Sequence, residues 1–191
     1  MALWMPWKKW TKQKKRKMAL RTPVNETDYL FGPSNAPIEL VEYGDYQCPY
    51  CGRAYPIVKD LLQQVGHQVK FVFRNFPLTK IHPQARMAAL AAEAAGLQNK
   101  YWEMHDVIYE NQKRLHHTAL LEYATGIGLQ MDRFTADMER EDLAAKVDGH
   151  FYSGMRSGVN ATPTFFINGE KYTGSWENDD LLQYLKSSFP L

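Results

Sequence analysis

The chain has 191 residues, of which 45% are hydrophobic and 23% are charged, so it is long enough to bury one sizeable core and we expect one folded domain. Two cysteines are too few to staple a chain of this length, which excludes a disulfide-rich secreted scaffold. The net charge of +2 conceals an asymmetry, because eight of the 23 Lys and Arg residues precede the first acidic residue, Glu26. The remainder of the chain is therefore acidic.

Residues 1–22 form a basic N-terminal tail that we expect to be disordered. Lysines begin at Lys8, so the tail lacks the apolar run of a secretory signal, and no later stretch has the length of a membrane span. These absences predict a cytoplasmic protein. We expect no nucleic-acid partner, because the basic run does not continue into the acidic body.

Two alternatives for the tail stay open. Trp4, Trp7 and Trp10 recur every third residue beside the lysines, a pattern that suits weak contact with an anionic membrane surface and peripheral membrane association. Alternatively, Met18 is the natural start, so it is open whether residues 1–17 belong to the native protein.

The folded part, residues 23–191, begins with a strand–helix–strand pattern. Apolar residues lie on both faces of "IELVEYGDY", which predicts an interior strand ended by Gly44. A helix is predicted over residues 49–64, and "QVKFVFRNF" is the second strand. Two strands joined by such a helix form a right-handed βαβ unit.

A helical block follows, and then the chain returns to strand. Residues 82–157, approximately, carry only helical patterns and form an insertion. "TPTFFING" is a strand, Asn168-Gly169 predicts a hairpin turn, "EKYTG" is its partner, and "WENDDLLQYLKSSF" is an amphipathic helix. The predicted fold class is therefore α/β: a βαβ half and a ββα half with a helical insertion between them.

Both cysteines lie in one motif, "CPYC", at Cys48 and Cys51. A zinc or iron–sulfur site needs about four ligands, and no second cysteine pair or suitably spaced histidine pair is present, so we expect no metal. Residues three apart on a helix lie one turn apart, close enough for a disulfide after modest adjustment. The spacing favours a redox pair and no further cofactor.

The position of the pair assigns a role to each thiol. Cys48 immediately precedes the predicted helix, whose free N–H groups and dipole stabilise a thiolate, so Cys48 is the expected nucleophile. Cys51 lies one turn inside the helix and is suited to resolving a mixed disulfide. Glu42, on the strand before the pair, is a candidate proton relay for Cys51; the alternatives are an exposed acid or a salt bridge with Arg74.

The motifs together resemble the thioredoxin superfamily. An acid-bearing strand before "CPYC" and "GVNATPTFFINGEKYTGS" near the end are typical of it, and the long helical insertion resembles the DsbA-like branch. Over residues 23–187 the chain is similar to bacterial DsbA-like thioredoxin-domain proteins, including the domain appended to some sodium/proton antiporters. The resemblance implies a thioredoxin-like fold and a thiol–disulfide oxidoreductase.

The resemblance also implies further site residues. Pro49 and Tyr50 would tune the two thiols, Pro163 would be a cis-proline facing them, and Thr162 would offer backbone hydrogen bonds to an extended substrate. The better-known periplasmic enzyme has histidine where Tyr50 stands, so we expect a weaker oxidant here. In a reducing cytoplasm, reduction or isomerisation of substrates is then as consistent with the motif as oxidation.

The expected partners are protein thiols and disulfides, glutathione as a co-substrate in mixed disulfides, and an unidentified protein that recycles the pair. Two other functions remain as alternatives. One is a glutathione-dependent transferase or isomerase of the kappa type, which shares the helical insertion. The other is a non-enzymatic peptide-binding or chaperone module that uses an apolar groove around Pro163.

Overall fold

The computed structural model describes residues 18–190. The expectations for residues 1–17, including the three tryptophans and all six lysines of the tail, lie outside the described residues. The strands are β1 (Leu30–Phe31), β2 (Ile38–Gly44), β3 (Val69–Asn75), β4 (Thr164–Ile167) and β5 (Glu170–Lys171). The helices are α1 (Pro49–Val65), α2 (Ala85–Gly96), α3 (Tyr101–Glu110), α4 (His117–Gly126), α5 (Met131–Met138), α6 (Glu141–Arg156) and α7 (Asp180–Ser188).

The strands form one sheet in the order β1-β3-β2-β4-β5. Strands β2 and β3 pair in parallel, and α1 connects them along the chain. All other neighbouring strands pair antiparallel. This arrangement confirms the predicted α/β class, with β2-α1-β3 as one half and β4-β5-α7 as the other. Helices α2 to α6 fall within the segment predicted as the insertion.

The central strand β2 is buried on both faces because side chains alternate along it. Ile38 and Leu40 belong to the larger core, with α1, α7 and much of the helical insertion. Val41 and Tyr43 belong to a smaller core on the opposite face, where Phe76 and partly buried side chains pack. The two-sided apolar pattern of the sequence therefore corresponds to a sheet covered on both faces.

The turn between β4 and β5 has the backbone that its sequence predicts. Asn168 has φ 47° and Gly169 has φ 78°. Both values lie in the left-handed region, which Asn and Gly adopt at low cost, and two such residues form the two-residue turn of a hairpin.

Residues 18–22, assigned to the tail from the sequence, lie against the fold. Ala19 pairs with Glu170 of β5, and the Arg21 N–H donates to Ser157 Oγ at 2.9 Å. An edge strand offers unpaired backbone groups, and this segment uses those of β5. Strand β1 was also absent from the prediction, because two residues carry no readable alternation. Among residues 18–190, no helix combines the length and apolar composition needed to cross a bilayer.

Candidate active site

Cys48 is the N-cap residue of α1, as its position in the sequence predicts. Its backbone is extended, with φ −71° and ψ 124°, and Pro49 occupies the first helical turn, where its missing N–H costs no hydrogen bond. Cys51 lies one turn further in and is fully buried, whereas Cys48 keeps 4% of its surface exposed. Both are free thiols. The Cys48 thiol therefore lies near the surface, and the Cys51 thiol lies in the interior.

The two thiols have opposite electrostatic environments. A hydrogen bond from the Cys51 thiol is the largest cause that lowers the pKa of Cys48, from 9.0 to about 5, against an opposing effect of burial. Thr162 and the backbone N–H groups of Cys51 and Tyr50 lower it further. Burial raises the pKa of Cys51 well above its ordinary value. At neutral pH, Cys48 is the thiolate and Cys51 holds a proton.

The segment Thr162-Pro163 lies directly beside Cys48, although more than a hundred residues separate them in the chain. The Cys48 sulfur lies 3.5 Å from the Thr162 carbonyl oxygen, which accepts a hydrogen bond from Cys48 when the thiol is protonated, and the Thr162–Pro163 peptide bond is cis. Thr162 is buried and Pro163 is partly exposed. The structure therefore brings these two residues, identified from the resemblance alone, to the Cys48 sulfur.

Glu42 projects from β2 into the interior beneath α1, with 3% of its surface exposed. Its strand neighbours in register are Phe73 of β3 and Phe165 of β4. Burial, and then the negative charge on Cys48, raise the pKa of Glu42 to about 8. A carboxyl group with this pKa exchanges protons near neutrality, as a proton relay requires.

Neither alternative for Glu42 is found. It is buried, not exposed, and Arg74 pairs with Asp28 instead, at 2.9 Å from Nε to Oδ1 and 2.7 Å from Nη2 to Oδ2. The physical reason is the alternation of β3: Arg74 lies beside Tyr43 on the face opposite Glu42, and its Nη1 donates to the Tyr43 hydroxyl at 3.1 Å.

The two residues between the cysteines are the most accessible part of the motif. Pro49 is exposed, and 57% of the Tyr50 surface is exposed. The Arg53 guanidinium lies 4.7 Å from the Tyr50 ring centroid, within the range of a cation–π contact. Both residues therefore face the solvent.

The loop before the pair is held by Asp45, which the sequence analysis overlooked. Its buried carboxylate accepts hydrogen bonds from the Gln47 N–H at 2.7 Å and the Leu78 N–H at 2.8 Å, and it pairs with His82 Nδ1 at 2.9 Å. The Asp45 N–H itself donates to Cys51 Sγ at 3.4 Å. A polar residue directly after a buried strand, in "GDYQC", was the available signal.

Gln112, just beyond the end of α3, also holds the loop before the cysteine pair. Its Nε2 donates to the carbonyl oxygens of Tyr46 at 2.8 Å and Cys48 at 3.0 Å. The Gln112 amide lies directly over Gly52, where a Cβ atom would overlap it. The sequence carried no signal for this contact, because 60 residues separate Gly52 from Gln112.

The comparisons with known proteins agree with this geometry. The family model described as "Thioredoxin" matches residues 24–187. The chain belongs to the thioredoxin family. This result confirms the family and fold inferred from the motifs.

Two sets of relatives extend the comparison. An Na⁺/H⁺ antiporter NhaA 1 of Salinispora arenicola is 41% identical over 171 residues, which cover 89% of this chain and 26% of the relative. One from Mycobacterium sp. strain KMS is 35% identical over 173 residues, covering 89% and 28%. The chain therefore spans about a quarter of the length of the curated relatives it matches.

Among solved structures, a thioredoxin-like oxidoreductase from Silicibacter pomeroyi superposes with a TM-score of 0.77 at 27% identity, covering 86% of this chain and 93% of that one. BdbD from Bacillus subtilis, in an oxidised crystal structure, gives 0.75 at 22% identity, covering 90% and 98%. The thiol-disulfide exchange protein α-DsbA2 from Wolbachia pipientis gives 0.75 at 19%, covering 86% and 88%. The last two comparisons establish the DsbA-like fold.

Proposed function

We propose that this protein is a thiol–disulfide oxidoreductase whose main substrates are protein disulfides. The observation that carries the proposal is the opposite pKa displacement of two thiols one helical turn apart, with the lower-pKa thiol facing Thr162-Pro163. The thiolate is the attacking species in disulfide exchange. A protonated neighbouring thiol stays unreactive until it loses its proton and attacks the mixed disulfide. Membership of the thioredoxin family supports the same function.

The chemistry proceeds in two exchanges. The Cys48 thiolate attacks one sulfur of a substrate disulfide, forms a mixed disulfide and releases the other sulfur as a thiolate, which takes a proton from solvent. Cys51 then transfers its proton to the Glu42 carboxylate and attacks Cys48 Sγ. This step releases the second substrate thiolate and leaves a Cys48–Cys51 disulfide, so two electrons pass from the protein to the substrate.

The same steps in reverse oxidise a substrate dithiol. The direction depends on the reduction potential of the pair relative to that of its surroundings. A separate redox partner must return the pair to its starting state, and glutathione mixed disulfides are a second substrate class, since they present the same sulfur–sulfur bond to Cys48.

The substrate is proposed to bind along Thr162-Pro163. The Thr162 carbonyl already lies 3.5 Å from Cys48 Sγ, so an extended peptide that pairs with this segment would place its sulfur within reach. Extended peptides commonly bind by adding backbone hydrogen bonds of this kind.

Two serine variants test the proposal. Cys48→Ser is expected to abolish reduction of a model protein disulfide, whereas Cys51→Ser is expected to accumulate a covalent mixed disulfide detectable by intact-protein mass spectrometry. Full activity in the Cys48→Ser variant would contradict the proposal, and activity retained in both variants would favour the kappa-type transferase. Suppression of aggregation that survives loss of both thiols would favour the chaperone alternative.

A further inference from the structure

A cavity lies against α1, and neither Thr162 nor Pro163 is among the residues that line it. It occupies about 220 Å³ between α1 and α3, over the sheet. Its walls are mainly aromatic, and they come from Phe31, Tyr55, Phe71, Trp102 and Tyr109. An apolar cavity of ~150 Å³ is large enough to bind benzene, so this one can hold a single ring and a short chain.

One wall of the cavity is the Glu42 carboxyl group. Within residues 18–190, no hydrogen bond or ion pair to this carboxyl group is found, although the residue is 97% buried. A buried carboxylate without a partner is costly, so it must either hold a proton or meet a cation. The proposed proton relay passes through both protonation states, and the cavity offers room for a cation beside the ionised one.

Among residues 18–190, no ion pair supplies Glu42 with a positive charge: Lys59 of α1 lines the same cavity but is paired with Asp106. The other ionisable α1 groups near Glu42 are the two thiols. From α3, burial lowers the pKa of His105 to about 3 and raises that of Tyr109, so both are neutral, and Tyr46 is neutral for the same reason. An ionised Glu42 would therefore be uncompensated by the protein.

The mouth of the cavity also favours a cation. Lys59 there is bound to Asp106 at 2.8 Å and lies 3.6 Å from Glu110, so one positive charge faces two negative ones. Its side chain and that of Asp106 are about two-fifths exposed, which marks the entrance. An entrance with net negative charge raises the local concentration of cations.

We propose that this cavity binds a small organic ammonium ion that carries an aromatic or other apolar group. The ammonium group would pair with the Glu42 carboxylate, and the apolar group would pack against Trp102 and Phe71. Aromatic faces attract cations, and they bury an apolar ring at the same time. The site is separate from the substrate segment at Pro163, so it can be occupied while Cys48 is engaged.

Binding of the cation has a proton balance. Because burial raises the pKa of Glu42 to about 8, most of this group is protonated at pH 7, and an arriving ammonium ion displaces that proton. The apparent affinity therefore rises with pH up to about 8, by at most about tenfold per unit. A neutral ligand of the same shape displaces no proton.

The first experiment compares 2-phenylethylamine with 2-phenylethanol by isothermal titration calorimetry on the full chain with both thiols reduced. The amine is expected to bind at least about tenfold more tightly than the alcohol at pH 8. Its affinity should rise at least about fivefold between pH 6.5 and 8, and titrations in two buffers at pH 6.5 should show close to one proton released. Equal affinity for amine and alcohol, or no binding of either, would overturn the proposal.

Three variants locate the site. Glu42→Gln is expected to remove the preference for the amine and its pH dependence. Leu62→Trp, which fills the cavity from α1, is expected to weaken amine binding at least about tenfold, whereas Gln64→Trp, on the same helix and outside the cavity, should bind normally. Unchanged binding in Leu62→Trp would overturn the proposal. The comparison of Leu62→Trp with Gln64→Trp tests the location of the site even if Glu42→Gln does not fold. All readouts are binding, so they are independent of redox activity.

Discussion

The backbone N–H of Asp45 donates a hydrogen bond to the sulfur of Cys51 at 3.4 Å. This contact lowers the pKa of Cys51, against the larger opposing effect of burial. It also ties the buried thiol to a loop that the Asp45 carboxylate organises through Gln47, Leu78 and His82. The environment of Cys51 thus depends on a residue outside the redox motif.

Asp45→Asn is expected to destabilise the protein by about 1–3 kcal/mol, because the amide has one acceptor oxygen where the carboxylate has two, and a buried N–H loses its partner. Urea denaturation measures the loss. His82→Phe, which removes only the side-chain partner, serves as the comparison and should cost less. Equal stability of Asp45→Asn and wild type would contradict the role of Asp45 as the loop anchor.

Cys51→Ala is expected to raise the pKa of Cys48 by at least about one unit, because the hydrogen bond from the Cys51 side chain is the largest cause of its low value. Cys51→Ser is the matched control, since its hydroxyl can still donate and should retain most of the shift. The pH dependence of iodoacetamide alkylation, read by mass spectrometry, gives the pKa in each variant. An unchanged pKa in Cys51→Ala would assign the shift to the helix N-terminus instead.

The stability of the reduced protein should show opposing pH effects from Cys48 and Glu42. A lowered pKa stabilises the folded state as pH rises, so Cys48 adds stability between pH about 5 and 9. A raised pKa does the reverse, so the stability that protonated Glu42 contributes is present below pH 4.5 and is lost as pH rises to about 8. Each effect is at most about 1.4 kcal/mol per pH unit.

The two effects are separable by mutation. The reduced Glu42→Gln variant should become more stable as pH rises from 6 to 8. The Cys48→Ser variant should become less stable over the same range. Its slope should be smaller than the Glu42 effect in the wild type, because part of the rise in the Glu42 pKa comes from the Cys48 charge. Denaturant midpoints at several pH values measure both slopes. Parallel slopes in the two variants would show that these groups do not control the pH dependence.

Asp28→Ala is expected to cost about 3–5 kcal/mol, because it leaves the Arg74 guanidinium buried and unpaired, both side chains being only 1% exposed. Against the opposing effect of burial, the His150 ring, 3.6 Å from Oδ1, and the hydrogen-bonded Arg74 guanidinium hold the pKa of Asp28 well below 3.8. This stability is therefore complete above about pH 4 and declines as pH falls. Glu122→Ala breaks the exposed pair with Arg114 and should cost at most about 1 kcal/mol in the same denaturation assay. Similar losses in the two variants would contradict the importance of burial.

The sequence by itself determined the features that depend on neighbours along the chain. The alternation around Glu42 predicted a strand buried on both faces, the two-residue spacing between Cys48 and Cys51 predicted a redox pair at a helix start, and Asn168-Gly169 predicted the hairpin turn. Each of these follows from backbone geometry within a few residues.

Only the tertiary structure decided which distant groups surround that pair. Arg74 pairs with Asp28 and not with Glu42. Gln112 packs against Gly52, and His82, in the loop after β3, pairs with Asp45. These contacts join residues 37 to 60 positions apart, and many chain positions could have supplied the same chemical groups. Their choice depends on how the helices pack on the sheet, which is a cooperative property of the whole core and is not encoded in any one segment.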